Sequence, residues 1–439
     1  MHVLQQILFL LLLAGASFLF YKKIRSIRRN ILLGKDRSFG GDSARRWRNV
    51  LLLALGQKKM FKRMTPAILH FFVYAGFVII NIEMLEIILD GMLGTHRLFA
   101  HALGSLYPVL IGCFEFLAAT VLIGCAIFLV RRNILRLKRL NQPELDGFPK
   151  TDANAILITE IVLMGLLFTM NAADQQLQQL GSEHYAQTGS FLVSGMIAPL
   201  FNGMSETSLI ALERTTWWLH IIGVLAFLNY LPYSKHLHIV LAFPNAYYAP
   251  LEPAGEMHNM PSVQNEVLYM MQPELAPPVS GDAAPQRFGA KDVMDLSWKN
   301  LMDAYACTEC GRCTSVCPAN ITGKKLSPRK IMMDTRDRVE EVGRNIDQNG
   351  SFADDGKSLV HDYISVEELR ACTSCNACVE ACPVSISPLE IILDARRYLV
   401  MEESNSPQEW NMMFGNIENN MAPWKFSPDE RDLWVAEMQ

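Results

Sequence analysis

Long apolar runs dominate the first 235 residues of this 439-residue chain. Five of them approach the ~20 residues that a helix needs to cross the hydrocarbon of a bilayer. Hydropathy predicts membrane-spanning helices over residues 3–20, 66–90, 106–130, 154–177 and 208–231. We therefore expect residues 1–240 to form a five-helix membrane domain.

Basic residues predict how these helices are oriented. Residues 21–63 carry fourteen Lys or Arg and residues 131–150 carry six, whereas 91–106 has only Arg97 and 171–213 has none. Because basic loops remain in the cytoplasm, the N-terminus is expected outside and the C-terminus inside. The first run lacks a basic segment before it and is followed by Lys22 and Lys23, so we interpret it as an anchor rather than a signal peptide.

The composition changes after the fifth run. Residues 241–291 hold eight scattered prolines and are predicted to form an extended linker: Pro244, Pro250, Pro253, Pro261, Pro273, Pro277, Pro278 and Pro285. A helical domain is expected over 292–400, with one helix starting at Pro328 after Ser327 and another capped by Ser365. The polar tail, 401–439, contains Trp410, Trp424 and Trp434, which could pack onto the domain or dock a partner.

Two copies of one cysteine motif, Cys-x-x-Cys-x-x-Cys-x-x-x-Cys-Pro, lie 65 residues apart in the helical domain. This spacing is typical of [4Fe-4S] ferredoxins, in which the fourth cysteine ligates the other cluster. One cluster is then expected on Cys307, Cys310, Cys313 and Cys382, and the other on Cys372, Cys375, Cys378 and Cys317.

The alternatives to clusters are structural zinc and disulfides, but zinc sites usually pair two short hooks and disulfides require no triple spacing. Thiolates that serve as ligands point to a reducing compartment, which agrees with a cytoplasmic domain. The remaining cysteines, Cys113 and Cys125, are expected to be buried small hydrophobes. A net charge of −4 suggests no nucleic-acid partner.

Histidines in and beside the membrane are candidate ligands of a b-type haem. His70 near the start of the second helix and His238 just past the fifth are at matching depth on antiparallel helices. His220 lies 18 residues before His238, which is five helical turns, although Pro232 interrupts that helix. Structural hydrogen bonding is the alternative role, and His236 is expected to be solvated at the interface.

The stretch HIIGVLAFLNYLPYSKHLH, from His220 to His238, resembles the haem-bearing last helix of the membrane (gamma) subunit of respiratory nitrate reductase. The resemblance implies that His220 and His238 are haem ligands, with His70 opposite His238. That family has a second histidine ten residues after the first on the second helix, where this chain has Ile80. One haem is therefore expected, and a second through His220 would need another ligand, such as His96 or His101.

The segments WKNLMDAYACTECGRC, from Trp298 to Cys313, and CPANITGKKLSPR resemble heterodisulfide-reductase-related proteins and bacterial electron-transfer-flavoprotein:menaquinone oxidoreductases. The resemblance implies a protein of the bacterial inner membrane that uses menaquinone or another quinone. The adjacent Cys-Cys-Gly motifs of the family's catalytic module do not occur here. A separate reductase protein with that Cys-Cys-Gly module, an electron-transfer flavoprotein, or both are the expected partners.

Taken together, these features predict an all-α membrane protein: a five-helix haem b domain followed by a cytoplasmic ferredoxin domain with two [4Fe-4S] clusters. Its expected function is to pass electrons between a cytoplasmic partner and quinone as one subunit of a quinone-linked oxidoreductase. Electron delivery to a heterodisulfide- or sulfite-type reductase, a polyferredoxin for cofactor maturation and a simple tether are the alternatives. No catalytic residue is assigned, and proton transfer or a structural role are equally compatible with five intramembrane carboxyls: Glu83, Glu86, Glu115, Glu160 and Asp174.

Overall fold

The computed structural model describes residues 3–253, 256–257, 259–277, 287–425 and 427–438. Within these ranges the chain is helical, with two isolated β-bridges. Five helices are long and apolar enough to cross a membrane. They are α1 (Val3–Ile31), α2 (Met64–Leu93), α3 (Tyr107–Leu129), α4 (Phe148–Leu180) and α5 (Glu206–Tyr230).

The membrane helices pack as a bundle with α4 between α3 and α5, α2 against α3, and α1 against α2 and α5. Small residues permit close approach of the backbones. A Cβ at Gly76 of α2 would lie 2.4 Å from a methyl group of Val121 on α3. Helix α1 runs eleven residues beyond the predicted end at residue 20, because its basic second half continues as a helix outside the apolar segment.

The helix that carries His220 ends before His238. Helix α5 stops at Tyr230, a 3₁₀ turn contains Pro232, and α6 (His238–Tyr247) starts afresh. Because α5 does not continue to His238, the spacing of five helical turns does not place the two histidines on one side of a single helix. Proline removes a backbone donor and clashes with the preceding turn, which ends the helix instead of only bending it.

The segment predicted as an extended linker contains helical structure. It includes most of α6 and the exposed α7 (Pro261–Met271). Pro278 and Pro285 lie outside the described residues. Asn245 of α6 donates to the Val384 carbonyl at 2.8 Å, so this part of the segment packs on the cysteine-bearing domain.

The cysteine-bearing domain is arranged so that each cysteine motif follows one helix and precedes another. Its helices are α8 (Trp298–Ala306), α9 (Pro328–Asn349), α10 (Val366–Ala371), α11 (Ala377–Ala381) and α12 (Pro388–Met401). The predicted cap at Ser365 and the helix start at Pro328 are confirmed. The tail forms α13 (Gln408–Asn420) and a short helical turn, Leu433–Glu437, and its three tryptophans are exposed.

One hydrophobic core joins this domain to the membrane bundle. Ile27 and Ile31 of α1 and Leu237 before α6 are buried in the same cluster as the α8, α9 and α12 side chains. Asn30 of α1 donates to the Tyr305 hydroxyl at 3.0 Å. The cysteine motifs are thereby held directly against the end of the bundle that carries the basic loops.

Candidate electron-transfer centre

The two cysteine loops have the same backbone design. Each begins at a cysteine that caps a helix, Cys307 after α8 and Cys372 after α10. Each then takes positive φ at equivalent positions, namely Glu309 (54°) and Gly311 (70°) in the first loop, and Ser374 (55°) and Asn376 (62°) in the second.

Each loop is followed by a helix that begins with Ser-Pro. The serine hydroxyl accepts from the third backbone N–H of the helix, Ser327 before α9 and Ser387 before α12. Left-handed residues turn the backbone sharply, and the capped helices fix where each loop ends. The doubled sequence motif therefore corresponds to a doubled structural unit.

The fourth cysteine of the second motif joins the first loop. An enclosed cavity is lined by Cys307, Cys310, Cys313 and Cys382, with Cys378 also at its wall. Cys317 of the first motif interacts electrostatically with Cys372 and Cys375. The structure thus brings the thiols together in the crossed sets expected for two cubane clusters.

The donor chemistry of these sets fits iron–sulfur clusters. Each set supplies four thiols, and within the described residues no three His, Cys, Asp or Glu side chains are arranged to hold a single metal ion. Burial raises the pKa of Cys307 and of Cys378 to about 12. These thiols would therefore ionise only when a metal centre supplies compensating positive charge.

Backbone amides are directed at the outer cysteine sulfurs. Ser374 N–H donates to Cys372 Sγ at 3.4 Å, and Ile386 N–H donates to Cys382 Sγ at 3.3 Å. Hydrogen bonds to cluster sulfurs set the reduction potential together with burial and net charge. These amides would stabilise the more negative, reduced state of a bound cluster.

His70 and His238 form a pair at the bundle end nearest the first cysteine loop. Their ring centroids are 6.3 Å apart. Two imidazoles that ligate one iron from opposite sides need centroids about 6 Å apart, with about 2 Å for each metal–nitrogen bond and about 1 Å from nitrogen to ring centre. The spacing fits a bis-histidine haem.

The outer nitrogens of both rings are already engaged. His70 Nδ1 is 3.0 Å from Gln57 Oε1, and His238 Nδ1 is 3.0 Å from the Lys235 carbonyl. Metal-ligating histidines typically donate their second N–H to such an acceptor, which fixes the tautomer and leaves Nε2 for the metal. Burial lowers the pKa of His238, so the ring is neutral at pH 7 and competent as a ligand.

The two other candidate histidines are His236, beside the pair, and His220, deeper in the bundle. His236 is partly exposed: its ring stacks on His238 with centroids 5.6 Å apart, it contacts Phe227 at 5.5 Å, and its Nδ1 is buried without a partner. His220 is buried and its Nδ1 bonds to the Leu163 carbonyl at 3.0 Å. In the described residues no histidine ring contacts His220, so the geometry supports one haem pair.

Lys235 connects the histidine pair to the first cysteine loop. Its carbonyl accepts from His238, and its ammonium group forms an ion pair with Glu309, which also pairs with Arg336 at 2.9 Å. Burial opposes ionisation of Glu309, but Lys235 and Arg336 outweigh it and lower its pKa. Lys235 therefore links the loop that carries Cys310 to His238.

Basic loop residues complete the contact. Arg139 donates to the Cys310 carbonyl at 2.7 Å, and Arg312 donates to the Lys59 and Met60 carbonyls at 3.3 Å. The charge of Arg312 also acts on His70. Hydropathy does not identify Gln57, Lys235 or Glu309; the only sequence signal for Lys235 is its position three residues before His238.

Comparison with known proteins agrees with this geometry. Residues 306–386 match the family model described as 4Fe-4S dicluster domain. The cysteine loops lie in a dicluster domain. The match covers both cysteine motifs and their connecting helices, but not the membrane bundle.

Curated relatives extend the similarity along the chain. A probable iron-sulfur-binding oxidoreductase, FadF, of Bacillus subtilis is 28% identical over 98% of this chain and 61% of that protein. The EtfAB:quinone oxidoreductase of Syntrophomonas wolfei is 26% identical over 88% of this chain and 53% of that protein. This chain therefore spans about half to three-fifths of the length of these relatives.

The dicluster domain also has relatives among methanogen enzymes. A component of the CoB-CoM heterodisulfide reductase of Methanosarcina acetivorans is 31% identical over 27% of this chain and 60% of that protein. No solved structure was found to match. The chain is thus a relative of iron–sulfur oxidoreductases and of heterodisulfide reductase components, as its motifs indicated.

Proposed function

We propose that this chain is a membrane electron-transfer protein that passes electrons between a soluble redox partner and the quinone pool. Two [4Fe-4S] clusters on the crossed cysteine sets and one b-type haem between His70 and His238 would carry single electrons. The observation that carries the proposal is the contact between the first cysteine loop and the histidine pair, through Lys235 and Glu309. A ferredoxin that is merely tethered needs no such contact.

The protein's contribution is to position the carriers. Lys235, Arg139 and Arg312 hold the first loop against the histidine pair, so the cluster on Cys307, Cys310, Cys313 and Cys382 would be the one next to the haem. The second cysteine loop would then face the soluble partner. A flavoprotein or a reductase module is proposed as that partner, since the relatives' names include both kinds of protein.

The basic loops and the dicluster domain lie at the same end of the bundle. Lys23 pairs with Glu340 at 3.1 Å and Arg37 with Glu390 at 2.7 Å. Because positive loops mark the cytoplasmic side, we propose that the dicluster domain is cytoplasmic and the N-terminus is outside the bacterial inner membrane.

The test is a dithionite-reduced optical spectrum and an EPR spectrum of the purified chain and three variants. We expect a b-type haem in the wild type that is lost in His70→Ala and in His238→Ala but retained in His220→Ala. The two cluster signals should persist in all variants. Haem that survives in His70→Ala, or zinc with no haem in the wild type, would contradict the proposal and favour a maturation ferredoxin.

A further inference from the structure

A second buried polar site lies at the end of the bundle opposite the dicluster domain. We call it the distal network; its members are Glu83, Glu86, Asp90, Arg97, Glu115, Asn171 and Asp174. Glu83 and Glu86 are 1% and 2% exposed, so both carboxyl groups are buried inside the bundle. Glu160 lies apart from the network, beside Cys125.

Arg97 is the centre of the network. It comes from the loop between α2 and α3 and adopts a left-handed backbone with φ of 55°. Its guanidinium donates to Asp174 at 2.8 Å and to Asn171 at 2.7 Å, and lies 3.7 Å from Glu83. A non-glycine residue with positive φ is unusual and indicates that the surrounding contacts hold it there.

The carboxyl groups around Arg97 are not equivalent. Glu86 accepts from Phe99 N–H, Asp90 from the N–H groups of Arg97 and Leu98, and Glu115 from those of Val193 and Ser194. These backbone donors occupy oxygens of the three carboxyl groups and tie them to the loops that supply the donors.

Glu83 has no backbone donor. One of its oxygens is 3.4 Å from Asn171 Nδ2, and the other is buried without a hydrogen-bond partner. An ionised carboxyl with a bare buried oxygen is costly inside a membrane. Glu83 is thus the member of the network best suited to gain and lose a proton.

A chain of polar groups leads from Glu83 to the surface. Arg97 bridges Glu83 to Asp174, and His96 Nε2 lies 3.5 Å from Asp174. The His96 side chain is 23% exposed, whereas the Asp174 side chain is 1% exposed. His96 therefore connects the interior of the bundle with the distal aqueous side.

The network and the proposed haem lie at different depths. Glu83 is thirteen residues after His70 on α2, which corresponds to about 20 Å along the helix axis. His220 occupies the intervening level, because Leu163, whose carbonyl it contacts, precedes Asn171 on α4 by eight residues, or about 12 Å. A quinone ring bound between the proposed haem and the distal network would receive electrons from the haem side and protons from the distal side.

We propose that Glu83 exchanges protons with a quinone bound inside the bundle, that Asp174 and His96 relay them to the distal face, and that Arg97 stays protonated and holds Glu83 and Asp174 in position. Reduction of a quinone to the quinol takes up two electrons and two protons, and oxidation of the quinol releases both. The electrons travel by the clusters and the haem, and the protons by the distal network. This inference rests on the function proposed above.

Other titratable groups face the same network and define its electrostatic setting. They are Tyr107 on α3, Tyr185 in the loop after α4, and Glu213 and Arg214 on α5. Tyr107 donates to Glu86 at 2.9 Å and Tyr185 donates to Glu213 at 2.9 Å. These hydroxyls occupy oxygens of Glu86 and Glu213, whereas the second oxygen of Glu83 has no hydrogen-bond partner.

The test uses the full chain in liposomes that enclose a pH-sensitive dye. Protein reduced with dithionite and freed of excess reductant is mixed with a short-chain naphthoquinone, and haem oxidation and proton uptake are followed together. The variants are Glu83→Gln, His96→Gln and, as a matched control, Glu206→Gln, which removes an exposed carboxyl at the start of α5.

We expect Glu83→Gln to keep its haem spectrum and slow haem oxidation on the order of 10²-fold, as for loss of a general acid. His96→Gln should delay proton uptake more than haem oxidation, and Glu206→Gln should match the wild type. Unchanged haem oxidation in Glu83→Gln overturns the proposal. If Glu83→Gln does not assemble with haem, unchanged proton uptake in His96→Gln overturns it instead. A wild type that does not react with quinone at all defeats the proposed function as well, which distinguishes the two failures.

Discussion

Replacing Lys235 with methionine tests the contact between the histidine pair and the dicluster domain. The substitution removes one of two cations from Glu309, whose side chain is 3% exposed, and leaves Arg336 at 2.9 Å. Loss of one partner of a fully buried ion pair destabilises by about 3–5 kcal/mol. Since Arg336 remains and a hydrogen bond to a charged group contributes about 1.5–3 kcal/mol, we expect about 2–3 kcal/mol here.

Such a loss would weaken docking of the first cysteine loop by about 30- to 150-fold, since 1.4 kcal/mol is a factor of ten. The assay is amide hydrogen exchange of residues 307–317, combined with the rate of haem oxidation after mixing with quinone. We expect faster exchange in the loop and slower electron transfer, with Lys235→Arg restoring most of both.

Lys62→Met is the matched control. Lys62 also bridges the membrane bundle to the dicluster domain, through Glu380, but these side chains are 57% and 63% exposed. Exposed pairs contribute less than about 1 kcal/mol. Equal effects of Lys235→Met and Lys62→Met, or no effect of either on exchange at residues 307–317, would show that the Lys235–Glu309 pair does not hold the loop in place.

Three further predictions concern the same centre. Gln57→Leu removes the hydrogen-bond acceptor for His70 Nδ1, which makes the His70 imidazole a less basic ligand. The haem midpoint potential in a redox titration should therefore rise, and a fall would contradict this prediction. Gly311→Val places a Cβ at φ of 70°, 2.5 Å from Arg329 Nη1 and 2.9 Å from the Arg139 carbonyl, and EPR should show loss of the cluster next to the haem before the other. Acidification should weaken docking only below about pH 4.5, the ordinary pKa of a glutamate, because the pKa of Glu309 is lower in the folded protein and its stabilisation is lost as pH falls through the folded-state pKa. If acid proteolysis begins at the same pH in Glu309→Gln as in the wild type, protonation of Glu309 does not govern the loss of docking.

The sequence predicts the features that depend on local spacing. Five spans follow from hydropathy, because each is a single apolar helix. The crossed grouping of Cys317 and Cys382 follows from the offset of the fourth cysteine and its proline, and the thiols are grouped in that way in the structure. The helix starts at Pro328 and Ser365 follow from capping residues.

Features that depend on packing between distant segments are not predictable in this way. Cys113, predicted to be buried, is exposed on the outer surface of the bundle, whereas Cys125 is buried as predicted. Hydropathy cannot separate these cases, because lipid-facing and protein-facing positions are both apolar. The sequence shows Arg97 only as a lone loop charge, since its carboxyl partners come from helices that are brought together by the fold.

In the proposed function, electrons pass between the clusters and quinone through a haem held by His70 and His238. The most direct measurement is rapid mixing of the pre-reduced chain with a short-chain naphthoquinone, with haem absorbance and cluster EPR signals followed on the same samples. If electrons leave through the haem, the haem is oxidised first and the clusters follow through it. Clusters that are reoxidised while the haem stays reduced would contradict it.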